Sequence, residues 1–211
     1  MRITEIFRSL QGESTFAGLP CILVRTTGCN LRCGYCDTAY AFHGGSEMSV
    51  DEVLAEVVAL GTRLVEVTGG EPLLQAESID LMAALLARGH TVLLETGGSL
   101  PIDAVPAGVH VILDIKTPSS GEADANRWAN LARLDDRGQI KLVIGDHHDF
   151  EWGIDVIRKH HLIERWPVLI SPVHDVLSPE DTAAWILASG LPLRLQLQLH
   201  KYVWDPARTG V

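Results

Sequence analysis

The chain has 211 residues, 46% of them hydrophobic and 21% charged, with a formal net charge of -10. That length suits one domain with a substantial core; the acidic balance argues against a broad phosphate-binding surface; and no apolar run approaches the roughly 20 residues needed to cross a bilayer. Four cysteines, with no charged-then-apolar leader ahead of them, do not make a secreted disulfide framework. The expectation is a cytoplasmic protein acting on a small molecule, with no direct nucleic-acid or membrane partner.

In chain order, CILVRTTG (21 to 28) reads as a first strand whose cysteine, Cys21, is a small buried hydrophobe. Ser49 with Glu52 three residues on predicts a capped helix through about Leu60. LVEVTGG (64 to 70) is a strand ending in glycine, and SIDLMAALLARG (78 to 89) an amphipathic helix closed by glycine. TVLLETGG (91 to 98) and VHVILDIK (109 to 116) are strands; 119 to 128 is a polar surface loop entering a short helix. QIKLVIG (139 to 145) and PVLISPV (167 to 173) follow as strands, Pro179 opens a helix through Ser189, and PLRLQLQLH (192 to 200) is a last strand. Strand-helix alternation predicts an α/β fold, a parallel sheet with helical crossovers that forms a closed or partial β/α barrel with fewer than eight units, in a single domain over 1–211 with no linker. The ligand site then belongs at the carboxyl ends of the strands. There Thr68-Gly69-Gly70-Glu71-Pro72, Glu95-Thr96-Gly97-Gly98, Asp114-Ile115-Lys116 and Ser171-Pro172-Val173-His174 share one rim with the loop after the first strand.

That loop reads CNLRCGYCDT, three cysteines inside eight residues. Zinc in a closed site wants four ligands, commonly from two cysteine pairs; there is no second pair, and His43 is the one available supplement. A four-iron four-sulfur cluster bound by three local cysteines would keep one iron open to a small ligand.

With Tyr35 just before the last cysteine, this CxxxCxxC resembles the hallmark of the radical S-adenosylmethionine enzymes, and Gly69-Gly70-Glu71-Pro72 is similar to their second motif, which receives the methionyl amino group. The resemblance implies that Cys29, Cys33 and Cys36 bind three irons of a 4Fe-4S cluster. S-adenosyl-L-methionine would chelate the fourth and yield a 5'-deoxyadenosyl radical.

The stretch Leu10-Gln11-Gly12-Glu13, Arg25 and Asp37-Thr38, together with ETGGSLP, DIKTP and His200-Lys201-Tyr202, resembles the 7-carboxy-7-deazaguanine synthase family over essentially the whole chain. That resemblance implies ring contraction of 6-carboxy-5,6,7,8-tetrahydropterin with loss of ammonia, in a pathway to queuosine and related 7-deazapurines. It places magnesium on Thr38, and the cofactor on Tyr35, Cys36, Asp37, Gly70, Glu71, Thr96, Lys116, Ser171 and His174. Substrate falls to Leu10, Gln11, Gly12, Glu13, Arg25, Thr68 and the terminal Val211. Residue chemistry agrees: Gln11 and Glu13 suit the alternating donors and acceptors of a pterin edge, and Arg25 suits a carboxylate. A homodimer and a flavodoxin-type electron donor are also implied. An activating enzyme for a glycyl-radical protein, and a noncatalytic iron-sulfur protein, remain as alternatives at this point.

Overall fold

The computed structural model describes all residues, 1–211. Its elements are β1 (Arg2–Leu10), β2 (Pro20–Thr26), β3 (Ser46–Glu47), α1 (Val50–Leu60), β4 (Leu64–Gly69), α2 (Glu77–Ala87), β5 (Thr91–Thr96), β6 (His110–Ile115), β7 (Gln139–Ile144), α3 (His147–Lys159), β8 (Val168–Pro172), α4 (Pro179–Ser189), β9 (Arg194–Leu195) and α5 (His200–Val203). One nine-stranded sheet runs β3-β1-β2-β4-β5-β6-β7-β8-β9. The seven strands from β2 to β9 in that order pair in parallel, β1 pairs antiparallel with β2 and β3, and the sheet ends at β3 and β9 without closing. It is the expected partial barrel.

Side-chain alternation along the strands divides the molecule. Outward positions such as Val65, Val67, Val92, Leu94, Leu113, Leu142 and Ile170 join a buried cluster of 34 residues with the inner faces of the helices. Inward positions change character along the strand. Cys21, Leu64, Leu93 and Ile112, with Phe16 and Leu23 against them, form a small apolar cluster that closes the amino-terminal end of the barrel. Toward the carboxyl ends the same face carries Glu66, Thr68, Glu95, Asp114 and Lys141, all of which line one cavity.

The helices begin and end where side-chain chemistry directs. Ser49 Oγ accepts from the Glu52 amide at 3.3 Å while Glu52 accepts from the Ser49 amide at 2.7 Å, the expected reciprocal cap of α1. Ser178 caps α4, which Pro179 opens. Three features differ from the sequence reading. β1 was not anticipated: RITEIFRSL interleaves charges with apolar residues, as suits a strand beside the edge whose side chains are mostly half-exposed. Nor was α3, whose apolar face is interrupted by Gly153; there a Cβ would come within 3.0 Å of Leu142, so glycine lets the helix lie close on β7. The last strand is Arg194–Leu195 alone, not 192 to 200, because the side chain of Gln196 turns to the Gly12 carbonyl, that of Gln198 turns to Glu13 and Asp37, and α5 starts at His200.

Asp149, in the first turn of α3 and fully buried, ties three segments together. It accepts from the Gly145 amide at 2.8 Å, from the Ser119 amide at 2.9 Å, and from the hydroxyls of Ser119 and Thr117. Asp149→Ala leaves several buried donors without a partner. We expect it to destabilise the fold by about 3 kcal/mol, read as a lower urea midpoint with an unchanged m-value.

Candidate functional site

After β2 the chain turns into the cysteine loop through Gly28, whose φ of 96° is open to glycine and costly for other residues. The Gly28 amide donates to Ala41 O at 2.8 Å and its carbonyl accepts from the Glu71 amide at 2.8 Å, so the cysteine loop is tied to the loop after β4. The contact is close: a Cβ on Gly70 would sit 2.1 Å from Gly28 O and 3.0 Å from Cys29 Cβ. Cys29, Cys33 and Cys36 are free, half-buried, and line the cavity. Burial pushes the Cys29 and Cys33 thiols up, so binding a cationic centre would have to draw off their protons. Cys21 is fully buried in the apolar floor and is not a fourth ligand. His43 is exposed and does not line the cavity with the three cysteines, so it is not placed as a fourth zinc ligand. Three thiols on one loop, opening on a polar cavity, fit a cluster with one iron facing inward.

Glu71 is 0% exposed and its carboxylate is fully engaged by the protein. It accepts from the Leu73 amide at 3.1 Å, from the Gly97 amide at 2.8 Å, and from the Thr96 hydroxyl at 2.9 Å to each oxygen. Burial raises its pKa while those hydrogen bonds work in the opposite direction. In the motif expected to receive the methionyl amino group, the structure places this carboxylate as the pin between the β4 and β5 loops, with the Gly69-Gly70 backbone also lining the cavity.

The loop after β1 is organised by Gln11, which is 2% exposed. Its carbonyl oxygen accepts from the Glu13 and Ser14 amides, and its amide donates to Glu66 at 2.9 Å. The side chain therefore braces the loop instead of offering a free edge, while Leu10, Gly12 and Glu13 line the cavity beside it. Glu13 reaches Lys141 Nζ at 2.8 Å and Gln198 Nε2 at 3.0 Å. Burial opposes its charge, yet Lys141 holds its carboxyl below the usual range. Arg25 spends Nε on Glu5 at 2.7 Å, and Tyr40 donates to the same oxygen at 2.8 Å, so the guanidinium is oriented toward the cavity it lines.

Around the mouth, Thr38 donates to Asp37 Oδ1 at 2.9 Å and makes no capping bond to the short helical turn it precedes, so its oxygen keeps lone pairs for another partner. Asp37 is bridged by Lys201 at 2.6 Å and Gln198 at 3.0 Å. Lys116 lies 3.0 Å from Asp114; burial works against its charge, and Asp114 holds it above the ordinary lysine value. Tyr35 donates to Val143 O at 3.3 Å, and burial pushes its phenol up to about 12. Thr68 is buried, with its hydroxyl 3.4 Å from Glu95. His174 and the terminal residues Pro206 to Val211 line the cavity, so the chain end reaches the site. Ser171 does not line it: its side chain is buried with Oγ unpartnered, and Val173 takes the rim position.

The cavity has a volume of about 480 Å³. It collects nearly every residue singled out in the sequence, the rim residues Glu95 and Asp114 included, and it adds Lys141, Glu66 and Gln198. Lys141 is 4% exposed and is ringed by Glu13, Glu95 and Asp114. The signal for Glu66, Asp114 and Lys141 was present in LVEVTGG, VILDIK and QIKLVIG: a charged residue inside an otherwise apolar strand. Such a residue in a buried parallel strand has to face a polar interior.

Residues 23–161 match the radical SAM superfamily. The whole chain is 46% identical to the 7-carboxy-7-deazaguanine synthase of Chlorobaculum tepidum, covering 97% of it, and 46% identical to that of Koribacter versatilis, covering all of it. The crystal structure of QueE from Escherichia coli superposes with a TM-score of 0.78 at 23% identity over 94% of each chain, a likeness of fold. On this evidence the chain is a radical SAM enzyme and belongs to the 7-carboxy-7-deazaguanine synthase family.

Proposed function

We propose that this enzyme converts 6-carboxy-5,6,7,8-tetrahydropterin into 7-carboxy-7-deazaguanine and ammonia, with a 4Fe-4S cluster, S-adenosyl-L-methionine and Mg²⁺. The observation that carries the reading is a single cavity onto which the thiols of Cys29, Cys33 and Cys36 open beside the Gly69-Gly70 backbone, with Arg25 and Glu13 lining the same space. In this reading the three cysteines hold the cluster, which with the bound cofactor supplies a hydrogen-abstracting radical.

The chain's own residues bind and orient. Gly70 lets backbone approach the methionyl group, and Glu71 and Thr96 keep that backbone in place. Tyr35, Cys36 and Asp37 flank the cofactor, Lys116 meets its carboxylate, and the β8 loop contributes through His174 and the backbone of Ser171. Arg25, oriented by Glu5, pairs with the pterin carboxylate; Leu10, Gln11, Gly12 and Glu13 present backbone and carboxylate to the ring edge. Thr68 and the Val211 carboxylate complete the substrate contacts. Thr38 would give magnesium one oxygen, as suits an ion that takes few protein ligands and keeps its waters. Bound there, magnesium would supply Lewis-acid chemistry next to the substrate carboxylate.

The same reading assigns the product to a queuosine-type 7-deazapurine pathway in the cytoplasm, with a flavodoxin-type donor for the cluster electron and a homodimer as the assembly. No helix is long and apolar enough to cross a membrane.

The test is anaerobic reconstitution with iron and sulfide, reduction, and incubation with cofactor, Mg²⁺ and the pterin, with product followed by mass. Wild type is expected to form 7-carboxy-7-deazaguanine, and Cys33→Ala to lose both the cluster absorbance and all product. Cofactor cleavage without pterin conversion would overturn the substrate assignment while leaving the family intact. Thr38→Val should keep the cluster and cofactor binding and lose about tenfold or more in rate at limiting Mg²⁺. An unchanged magnesium dependence would remove Thr38 from the metal site.

A further inference from the structure

The cavity floor holds an acid that none of the roles above employs. Glu66 projects from β4 on the inner face and is 3% exposed. It accepts from Gln11 Nε2 at 2.9 Å, and its carboxyl lies within hydrogen-bonding reach of the Glu95 carboxyl on β5. No cation is paired with it. Arg25 on β2 is turned to Glu5, and Lys141 on β7 is shared by Glu13, Glu95 and Asp114. The other group facing it from β2 is the Cys21 thiol, which burial keeps neutral.

The two carboxyls are therefore unequal. Glu95 bridges to Lys141 Nζ, whereas Glu66 has a neutral amide on one side, the Glu95 carboxyl on the other and no cation. Burial first, and the Glu95 charge second, push the Glu66 pKa well above the usual carboxylate range. One proton shared between two carboxyls in unlike surroundings is the arrangement that separates an acid from a base at neutral pH.

We propose that Glu66 supplies the proton that leaves with ammonia, and that Glu95 takes the ring proton lost in the same elimination. The inference rests on the pterin reading above. After ring contraction a C–N bond breaks with its electron pair on nitrogen, the Glu66 O–H bond breaks as an N–H bond forms, and a C–H bond breaks as its proton passes to Glu95 and its electrons form the new C=C bond. The pair begins and ends with one proton, which returns from Glu95 to Glu66 across their contact. No oxidant or reductant is consumed. The placement suits this division of labour: the cysteine loop and Gly70 stand at the rim, whereas Glu66 and Glu95 rise beside the apolar floor, so proton chemistry reaches the substrate from the side away from the cluster loop.

The variant is Glu66→Gln, which keeps an oxygen for Gln11 and removes the acid. With substrate deuterated at carbon 6, E66Q is expected to retain deuterium transfer into the cofactor and a KM within about threefold of wild type, while product and ammonia fall about 100-fold. Independently of turnover, the infrared difference spectrum of E66Q against wild type at pH 7 should show loss of one protonated-carboxyl band. An unchanged product rate, deuterium transfer that falls in step with product, or a difference spectrum without that band would each overturn the proposal. Wild type that leaves the pterin untouched overturns the functional reading and this inference together, and is told apart because the failure is then already present before any substitution.

Discussion

A lysine 4% exposed among three carboxylates lets this barrel have a polar interior at all. An uncompensated charge inside a sheet costs several kcal/mol, and three acids on neighbouring inward positions, with a fourth reaching in from a loop, would repel one another as well. Lys141 answers both problems. Burial works against its ammonium, yet Glu13, Glu95 and Asp114 hold it protonated well above the ordinary lysine value. It also connects what the chain separates, since Glu13 comes from the loop after β1, Glu95 from β5 and Asp114 from β6. Only Glu66 lies outside the lysine's reach, and that inequality turns a structural charge balance into a pair of unlike acids.

Around this centre the rim is built from loops that hold one another. The cysteine loop is tied to the β4 loop through Gly28 and Glu71, and the β4 loop to the β5 loop through the Glu71 carboxylate. Gly34 donates to Ser120 O at 2.9 Å and joins the cysteine loop to the loop after β6. An iron-sulfur ligand set depends on such cross-ties, because three thiols on a free loop would not hold a common geometry. The open edges of the sheet are used as well. On the β1 side the Gln11 loop bends inward, and on the β9 side Gln196 and Gln198 cross to it, so the gap in the barrel is spanned by side chains where a further strand would otherwise close it.

Much of the fold was legible in the sequence because parallel strands buried on both faces leave short apolar runs ending in glycine or polar loops, and because Ser49, Pro179 and the terminal glycines mark helix ends. The misses share a cause. β1, α3 and β9 carry mixed polar patterns whose meaning depends on partners far along the chain: β2 for β1, β7 for Gly153, and the Gln11 loop for Gln196. The cysteine stretch was legible as a ligand set because spacing is a local property. Roles assigned to Gln11 and Glu71 changed once their partners were seen: a carboxylate or amide in a motif offers the same atoms whether it meets a ligand or braces its own loop.

By itself the sequence determined the α/β barrel and the three clustered thiols, since these follow from periodicity and spacing within short windows, and its motifs resembled those of the family to which the chain belongs. The tertiary structure alone decided which charges meet. Lys141 stands 128 residues from Glu13 and 46 from Glu95, and Gln11 stands 55 from Glu66. Whether a buried charge is paired, shared or left to keep a proton depends on distances of a few ångströms between such residues, and Coulomb energy and desolvation at that scale have no counterpart in the order of the residues along the chain.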